Sequence, residues 1–375
     1  MSALPRAAAA PATVAGPALH VDSTAIAANV RRAAAVSGAA VMAVVKADGF
    51  GAGAEAAARA ALAAGATWIG TATLDEAVAL RRAGIAAPLL CWLLPVDAAW
   101  EAALRLRIDV AIASVAHLQA VAEAAGRCGA RARVHLHVDT GMARDGAPDR
   151  SALITAAADA ERLGLVEVVG VMGHLARADE PADASNAAGV VAFRSAVAAV
   201  EAAGLRPAVR HLAATEAALR LPDAAFDLVR IGAGLVGIGP GLRPALTLTA
   251  PVVLTRVVPA GTPVGYGHTA RTERDTVLAL LPLGYADGLP RRIEPEAGVQ
   301  LDGRRCRVLG RVSMDQTVVD AGPEGVRLGT TAVVFGTGAG GEPTAADWAR
   351  WAGTIEHDVV TGIGARVARV LDGVR

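Results

Sequence analysis

The 375-residue sequence lacks an excess of charge, lacks long apolar runs and has few aromatic residues, and each of these features limits what the protein can be. Charge of one sign is not in excess, because 36 acidic residues balance 36 basic ones, and this excludes the electrostatic signature of a general nucleic-acid binder. No apolar run reaches the roughly 18 residues that a membrane span needs, the longest candidate being 86–96. Aromatic residues make up only 3%, so the core must be built from Ala, Val, Leu and Ile.

Cysteine is scarce too, and the three residues Cys91, Cys128 and Cys306 lie far apart. An odd number at such spacing predicts neither a disulfide framework nor a metal site, and it fits a reducing compartment, the cytoplasm. The first 20 residues are rich in Ala and Pro and are too weakly apolar for a signal-peptide core. We interpret them as a mobile segment that ends in an edge strand.

Lysine is the rarest cation, because Lys46 is the only lysine among 36 basic residues. It follows the apolar run VMAVV and precedes three closely spaced glycines, which places it at the end of a buried strand. An ammonium group can lose its proton and attack a carbonyl, whereas a guanidinium cannot. The sequence therefore favours a Schiff-base lysine over a chance surface residue.

Tyrosine is almost as rare, and both tyrosines lie in glycine-flanked segments, Tyr266 in VGYGHTA and Tyr285 in LGYADGLP. A structural tyrosine usually buries its ring on the face of a strand or helix. A tyrosine between two glycines is more typical of a loop, so Tyr266 is a candidate functional residue.

The chain length predicts two or three domains. Between 21 and 245, eight short apolar runs alternate with Ala-rich helical stretches, and the first helix begins near Asp22 or Ser23. The predicted strands are 41–47, 68–73, 88–92, 110–113, 133–139, 168–174, 208–213 and 227–231, and the later helices are 54–64, 75–83, 97–106, 115–126, 150–162, 182–203 and 215–220. This alternation predicts an α/β fold with a closed (β/α)8 TIM-type barrel. An open doubly wound sheet is the rival, although no GxGxxG motif follows the first strand. From 246 onward, short β-branched segments predict a mostly β domain with one clear helix at 344–353.

Polar residues follow several of the predicted strands, at the barrel end where chemistry is usually found. They are Lys46, the run from Asp139 to Arg144, His174, Thr215, Arg230 and Gly232. A hydroxyl and a glycine-rich turn after the last two strands are typical of a phosphate site. A nucleophilic lysine, a phosphate site and arginines together indicate pyridoxal phosphate.

At this point the sequence resembles the alanine racemases, which are fold-type III pyridoxal phosphate enzymes. The matching segments occur in the family's order over nearly the whole chain: AVVKADGFGAG, HLHVDTGMARDG, GVMGHLARADEP, RHLAATEAAL, FDLVRIGAGLVGIGP, VGYGHTA, LGYADGLPRR, GRVSMDQTVVD and TIEHDVVTGIGARVARV. The resemblance implies a (β/α)8 barrel followed by a β domain, and a homodimer whose two sites take residues from both chains. It implies an amino-acid substrate, D-alanine supply for peptidoglycan, and neither nucleic acid nor membrane as partner.

The resemblance also implies a role for each matching residue. Lys46 would hold pyridoxal 5'-phosphate and act as the base on one face of the substrate, and Tyr266 of the partner chain would act as the base on the other. Arg144 would contact the cofactor phenolate and the substrate carboxylate, Arg230 would contact the pyridine nitrogen, and His174 would link Arg230 to the tyrosine. The remaining roles would be binding of the phosphate (Thr215 and the Gly232 backbone), a carboxylate pocket formed by the partner chain (Met314 and Asp315) and a narrow entrance (Tyr285).

Four positions depart from the family's usual pattern. His137 stands where many members have a lysine that is carbamylated and orients the key arginine, so Arg144 must be oriented otherwise. Phe50, Ala214 and Ala365 stand where members often have residues that bind phosphate. We therefore expect weaker retention of the cofactor.

The residues leave several alternatives open: a racemase of broader or different specificity, such as for serine, a pyridoxal phosphate-binding homologue that has lost catalysis, and a cofactor-free aldolase that uses Lys46.

Overall fold

The computed structural model describes residues 16–373, which form two compact units. The first comprises 21–246 with 371–373, and the second comprises 16–20 with 247–370. The expected mobile segment lies mostly outside the described residues. Its last part, Ala18–Asp22, forms a strand, but this strand pairs on both sides and is interior to its sheet, so the expectation of an edge strand is wrong.

The first unit contains an eight-stranded parallel sheet in which each predicted strand is present. Neighbours along the chain pair with each other, and the first strand pairs with the last, with Met42 opposite Arg230. The circle closes between the last two strands, because Arg230 N donates to Ala213 O at 2.9 Å. The sheet is therefore a TIM-type barrel, and its strands are Ala40–Val44, Trp68–Thr71, Leu89–Cys91, Asp109–Ile112, Ala132–His137, Val166–Met172, Val209–His211 and Leu228–Ile231.

Helices follow the strands as the hydropathy pattern predicts. Their bounds are Ser23–Ser37, Ala54–Ala63, Leu74–Arg82, Trp100–Arg105, Val115–Cys128, Arg150–Arg162, Ala184–Ala202 and Thr215–Arg220. The first helix begins where the sequence placed it, because the Asp22 carboxylate accepts hydrogen bonds from Thr24 N at 2.8 Å and Ala25 N at 3.1 Å. The helices bury mainly alanine and valine against the strands, so the paucity of aromatics does not prevent a dense core.

The second unit is mostly β, as expected. Its six-stranded sheet has the order Arg304–Arg307, Gly298–Leu301, Thr331–Phe335, Leu246–Pro251, Ala18–Asp22 and Ala368–Asp372. Two smaller sheets comprise Leu254–Val258, Thr276–Leu281 and Thr317–Asp320, and Pro263–Val264 with Ala270–Arg271. The predicted helix spans Ala345–Ala352, and a further helix spans Glu356–Thr361.

Within residues 16–373, no helix has both the length and the apolar character required to cross a membrane.

Candidate active site

The turn that carries Lys46 directly follows the first barrel strand. Ala47 (φ 52°, ψ 51°) and Asp48 (φ 51°, ψ 47°) adopt the left-handed conformation, which costs a non-glycine residue about 1–2 kcal/mol. The turn is closed by hydrogen bonds from Gly49 N to Val45 O at 2.8 Å and from Gly53 N to Asp48 O at 2.8 Å. The chain thus leaves the sheet sharply, so that Lys46 lies at the mouth of the barrel rather than in the strand.

The electrostatic surroundings of Lys46 favour a neutral amine. Burial lowers the pKa of its ammonium group from the ordinary value, and the charges of Arg144 and Arg230 lower it further. Both arginines therefore lie close enough to act on the amine, as the sequence predicted from their positions after parallel strands.

Arg144 is presented by a loop that Asp139 organises. The Asp139 carboxylate accepts hydrogen bonds from the backbone N–H groups of Gly141, Met142 and Ala143 at 2.9, 3.0 and 3.2 Å. Arg144 itself is exposed and forms no ion pair or hydrogen bond with any residue between 16 and 373. Its guanidinium is thus available to a bound anion.

His137 does not replace the usual lysine as a partner of Arg144. Instead its Nδ1 lies 3.3 Å from Asp145 Oδ2, and this contact holds the pKa of the Asp145 carboxyl below its ordinary value. Arg144 is therefore placed by the Asp139 loop, and His137 fixes the residue that comes after it.

Arg230 is the centre of a buried polar network that runs down the barrel. Its guanidinium donates to His211 Nδ1 and to His174 Nδ1, both at 3.1 Å, and to the carbonyl oxygens of Gly173 and His211, both at 2.8 Å. Burial, followed by the charge of Arg144, lowers the pKa of Arg230 to about 10. The arginine therefore keeps its positive charge at neutral pH.

The hydrogen bonds of Arg230 determine the tautomers of three histidines. Because a guanidinium only donates, His211 must accept at Nδ1 and carry its proton on Nε2. His211 Nε2 lies 2.9 Å from His135 Nδ1, which must then accept, leaving the His135 proton on Nε2, 3.6 Å from Asp109 Oδ2. The donors thus all point in one direction, from Arg230 at the mouth through His211 to His135, whose Nε2 faces Asp109 without a hydrogen bond. The same rule places the proton of His174 on Nε2.

We expect the buried histidines to make folding stability fall in mild acid. Burial and the charge of Arg230 lower the pKa of His174 to about 3 and that of His211 well below its ordinary value. The unfolded chain takes up these protons below about pH 6.5 and the folded chain does not, so stability is lost as pH falls, by about 1.4 kcal/mol per pH unit for each histidine. Urea unfolding at pH 7, 6 and 5 measures this slope.

The matched comparison for this pH dependence is His211→Gln, since a glutamine can accept from Arg230 and donate to His135. Its slope between pH 6 and 5 should be shallower than that of the parent by about 1.4 kcal/mol per pH unit. Parallel slopes for the parent and His211→Gln would contradict a neutral, buried His211.

Thr215 and Gly232 form a cluster of polar groups after the last two barrel strands. Gly232 N and Gly234 N donate to Thr215 Oγ1 at 3.3 and 3.2 Å, so two backbone donors and a hydroxyl converge. A Cβ at Gly232 would lie 2.9 Å from the ring of Phe50, so only glycine fits there. Such a glycine-rich cluster of N–H groups suits the oxygen atoms of a phosphate.

Tyr266 belongs to the second unit and lies on a tight turn, as its glycine neighbours indicate. Gly265 and Gly267 have φ values of 70° and 73°, which favour glycine, and the Tyr266 side chain is 65% exposed. Its ring is therefore not used to build the core of its own unit.

Tyr285, Met314 and Asp315 lie together in the second unit. Tyr285 N donates to Ser313 O at 3.0 Å, and the Met314 and Tyr285 side chains are 53% and 37% exposed. The Asp315 carboxylate forms an ion pair with Arg366 at 2.7 Å, which offsets its charge. The structure thus brings together three of the four predicted residues of this unit and separately, in the barrel, the predicted residues of the other.

The donors in the barrel fit a phosphorylated aldehyde. A lysine with a lowered pKa can condense with the aldehyde, and the Thr215–Gly232 cluster can accept a phosphate. The hydrogen bonds of Arg230 to residues in the described part of the chain all use its two terminal nitrogens, so the Nε–H donor of this arginine is left for a bound group.

Sequence reasoning did not single out His135, His211 or Asp109. A signal was present, since His135 and His137 alternate in one strand and must face the same side of the sheet. The link to His211 depends on the pairing of strands that are distant in sequence.

Comparisons with known proteins agree with this geometry. Residues 21–240 match the family model described as alanine racemase, N-terminal domain, and 245–371 match that of the C-terminal domain. The alanine racemase of Salinispora arenicola is 49% identical over 366 residues, 95% of this chain and 98% of the relative. The chain is also similar to a crystal structure of alanine racemase from Streptomyces lavendulae, with a TM-score of 0.95, 44% identity and coverage of 97% of this chain and 98% of that one. The crystal structure of alanine racemase from Bacillus anthracis with bound L-Ala-P matches with a TM-score of 0.88 and 31% identity, over 98% of this chain and 96% of that one.

Proposed function

Because the chain belongs to the alanine racemase family, we propose that it is an isomerase that interconverts L-alanine and D-alanine with pyridoxal 5'-phosphate. The observation that carries the proposal is the convergence of Lys46, Arg144 and Arg230 at one barrel mouth, together with the Thr215–Gly232 cluster. The product would serve peptidoglycan synthesis, and the working form would be a homodimer in the cytoplasm.

Lys46 would hold the cofactor, Thr215 and the Gly232 backbone would bind its phosphate, and Arg230 Nε would face its ring nitrogen. When bound, the cofactor withdraws electrons from Cα of the amino acid and so makes the Cα proton removable. Arg230 keeps its protons, because its pKa of about 10 lies well above neutral pH, and it does not give one to the ring nitrogen.

Two residues would move the proton. Lys46 Nζ, whose pKa is lowered by burial and by two arginines, takes or returns it on one face of Cα. Tyr266 of the partner chain acts on the opposite face through its phenol oxygen. Two bases on opposite faces invert the centre without turning the substrate over.

Substrate binding would use residues of two chains. The exposed guanidinium of Arg144 binds the substrate carboxylate. Met314 and Asp315 of the partner chain line the pocket, where the Asp315–Arg366 ion pair reduces repulsion of that carboxylate. Tyr285 narrows the entrance, which favours a small side chain such as that of alanine.

The proposal is tested by exchange of the α-proton of alanine in heavy water, followed by NMR, with chiral analysis of the product. An absorbance band that appears on addition of pyridoxal 5'-phosphate separates the racemase from a cofactor-free aldolase. A parallel assay with serine measures how strictly the site selects alanine. Cofactor binding without exchange of either enantiomer would support the binding homologue instead.

We predict that Phe50→Tyr slows loss of the cofactor about tenfold or more. The Phe50 ring edge lies against the Gly232 turn, so a hydroxyl added there comes close to the proposed phosphate position. A hydrogen bond to a charged group contributes about 1.5–3 kcal/mol. The half-time of cofactor loss during dialysis measures the effect.

The matched control is Phe226→Tyr, which makes the same chemical change where the ring packs against Phe193 at 4.8 Å. It should leave the half-time unchanged. A parent protein that stays fully loaded through prolonged dialysis would contradict our expectation of weak retention.

A further inference from the structure

The left-handed turn after Lys46 is held from outside by the carboxylate of Glu76. Glu76 Oε1 accepts a hydrogen bond from Ala47 N at 2.7 Å, and Oε2 accepts from Ala72 N at 3.0 Å and Thr73 N at 3.1 Å. One carboxylate therefore joins the residue next to the lysine to the chain that leaves the neighbouring barrel strand.

Part of this arrangement is a common helix cap. Thr73 Oγ1 accepts from Glu76 N at 3.3 Å while the Glu76 carboxylate accepts from Thr73 N, which is a capping box. A capping box needs no bond to a distant segment, so the bond to Ala47, 29 residues away, is additional. It uses Glu76 Oε1, whereas the capping box uses Oε2.

We propose that Glu76 is a positioning residue for Lys46, whose side chain it fixes at the barrel mouth by holding the amide of Ala47. The catalytic role of Lys46 rests on the proposed function, whereas the contact between Glu76 and Ala47 does not. The backbone of Ala47 and Asp48 is strained, and a charged acceptor at its first amide opposes its relaxation.

Glu76 also acts on the charge of the amine. Its carboxylate raises the pKa of Lys46, whereas burial and the charges of Arg144 and Arg230 lower it. His174, on which the charge of Lys46 also acts, stays neutral because its pKa is about 3. Removal of the carboxylate charge should therefore move the Lys46 titration to lower pH.

The experiment compares four variants of the full-length chain. Glu76→Gln keeps the size of the side chain but loses its charge. Its single amide oxygen cannot accept both from Ala47 N and from the amides of Ala72 and Thr73. Glu76→Asp keeps the charge and shortens the reach. Thr73→Ala removes the threonine side of the cap but leaves the carboxylate, and Asp75→Asn removes an exposed charge in the same helical turn.

Two readouts apply, and neither requires activity. Hydrogen–deuterium exchange of the peptide spanning 46–50 reports on the Ala47 amide. NMR of the chain with 15N at the lysine ε-nitrogen gives a single side-chain signal, because Lys46 is the only lysine, and its pH titration gives the pKa directly.

We expect exchange at 46–50 to be about tenfold faster or more in Glu76→Gln and Glu76→Asp, and unchanged in Thr73→Ala and Asp75→Asn. The Lys46 titration should move to lower pH in Glu76→Gln and stay near that of the parent in Glu76→Asp. The proposal is overturned if both Glu76 variants exchange like the parent, or if Thr73→Ala produces the same change. A parent that fails to racemise alanine would refute the proposed function but leave these comparisons intact.

Discussion

Lys46→Arg is expected to lower the rate of alanine racemisation about a thousandfold or more. The guanidinium keeps a positive charge at the same place, but it neither condenses with an aldehyde nor exchanges a proton near neutral pH. Exchange of the α-proton of each enantiomer in heavy water measures the loss. Borohydride reduction in the presence of pyridoxal 5'-phosphate should attach the cofactor to Lys46 in the parent and to no side chain in the variant.

The control returns a lysine to the chain at another position. Arg59→Lys, at an exposed ion pair with Glu55, is combined with Lys46→Arg so that the number of lysines is unchanged. We expect the double variant to be as inactive as the single one. Undiminished inversion by Lys46→Arg without added amines would refute the central role of this lysine.

Tyr266→Phe is expected to abolish inversion while leaving proton exchange on one face. Without the phenol, Lys46 still removes the α-proton from D-alanine, but no group acts on the opposite face. Racemisation should fall by about two to three orders of magnitude. Exchange of D-alanine in heavy water should persist, whereas exchange of L-alanine should be lost.

The other tyrosine of the chain provides the control. Tyr285→Phe removes the same hydroxyl from the proposed entrance, and it should change the KM for alanine more than the ratio of exchange between the two enantiomers. Equal exchange of both enantiomers by Tyr266→Phe would show that the phenol is not one of two bases.

Much of the fold was predictable because the barrel repeats a local pattern. Most strands are short apolar runs and most helices are Ala-rich stretches, so local sequence indicates both, as for the strand Ala40–Val44. Pairing over long distances was not predictable in this way. Ala18–Asp22 was expected at a sheet edge, but it pairs with two strands that both come more than 200 residues later in the chain.

The candidate site shows the same difference between residues that local sequence predicts and residues that depend on distant contacts. Lys46 and Arg230 were found from the sequence because each comes at or near the end of a predicted strand, and parallel strands bring these ends together. His174, which accepts from Arg230, was found as well, but Glu76 and His211 were not. Glu76 meets Ala47 through a turn in a rare conformation, and His211 meets His135 across the barrel interior.

The one-way order of the histidines has a consequence for proton supply. A chain of imidazoles conducts protons only if each ring can receive one from its neighbour and pass one on. Here the chain of imidazoles ends at a guanidinium, which has no lone pair to receive a proton. The histidines therefore cannot relay a proton to the mouth of the barrel. Hydrogen exchanged at Cα is therefore not expected to be supplied along this chain of histidines.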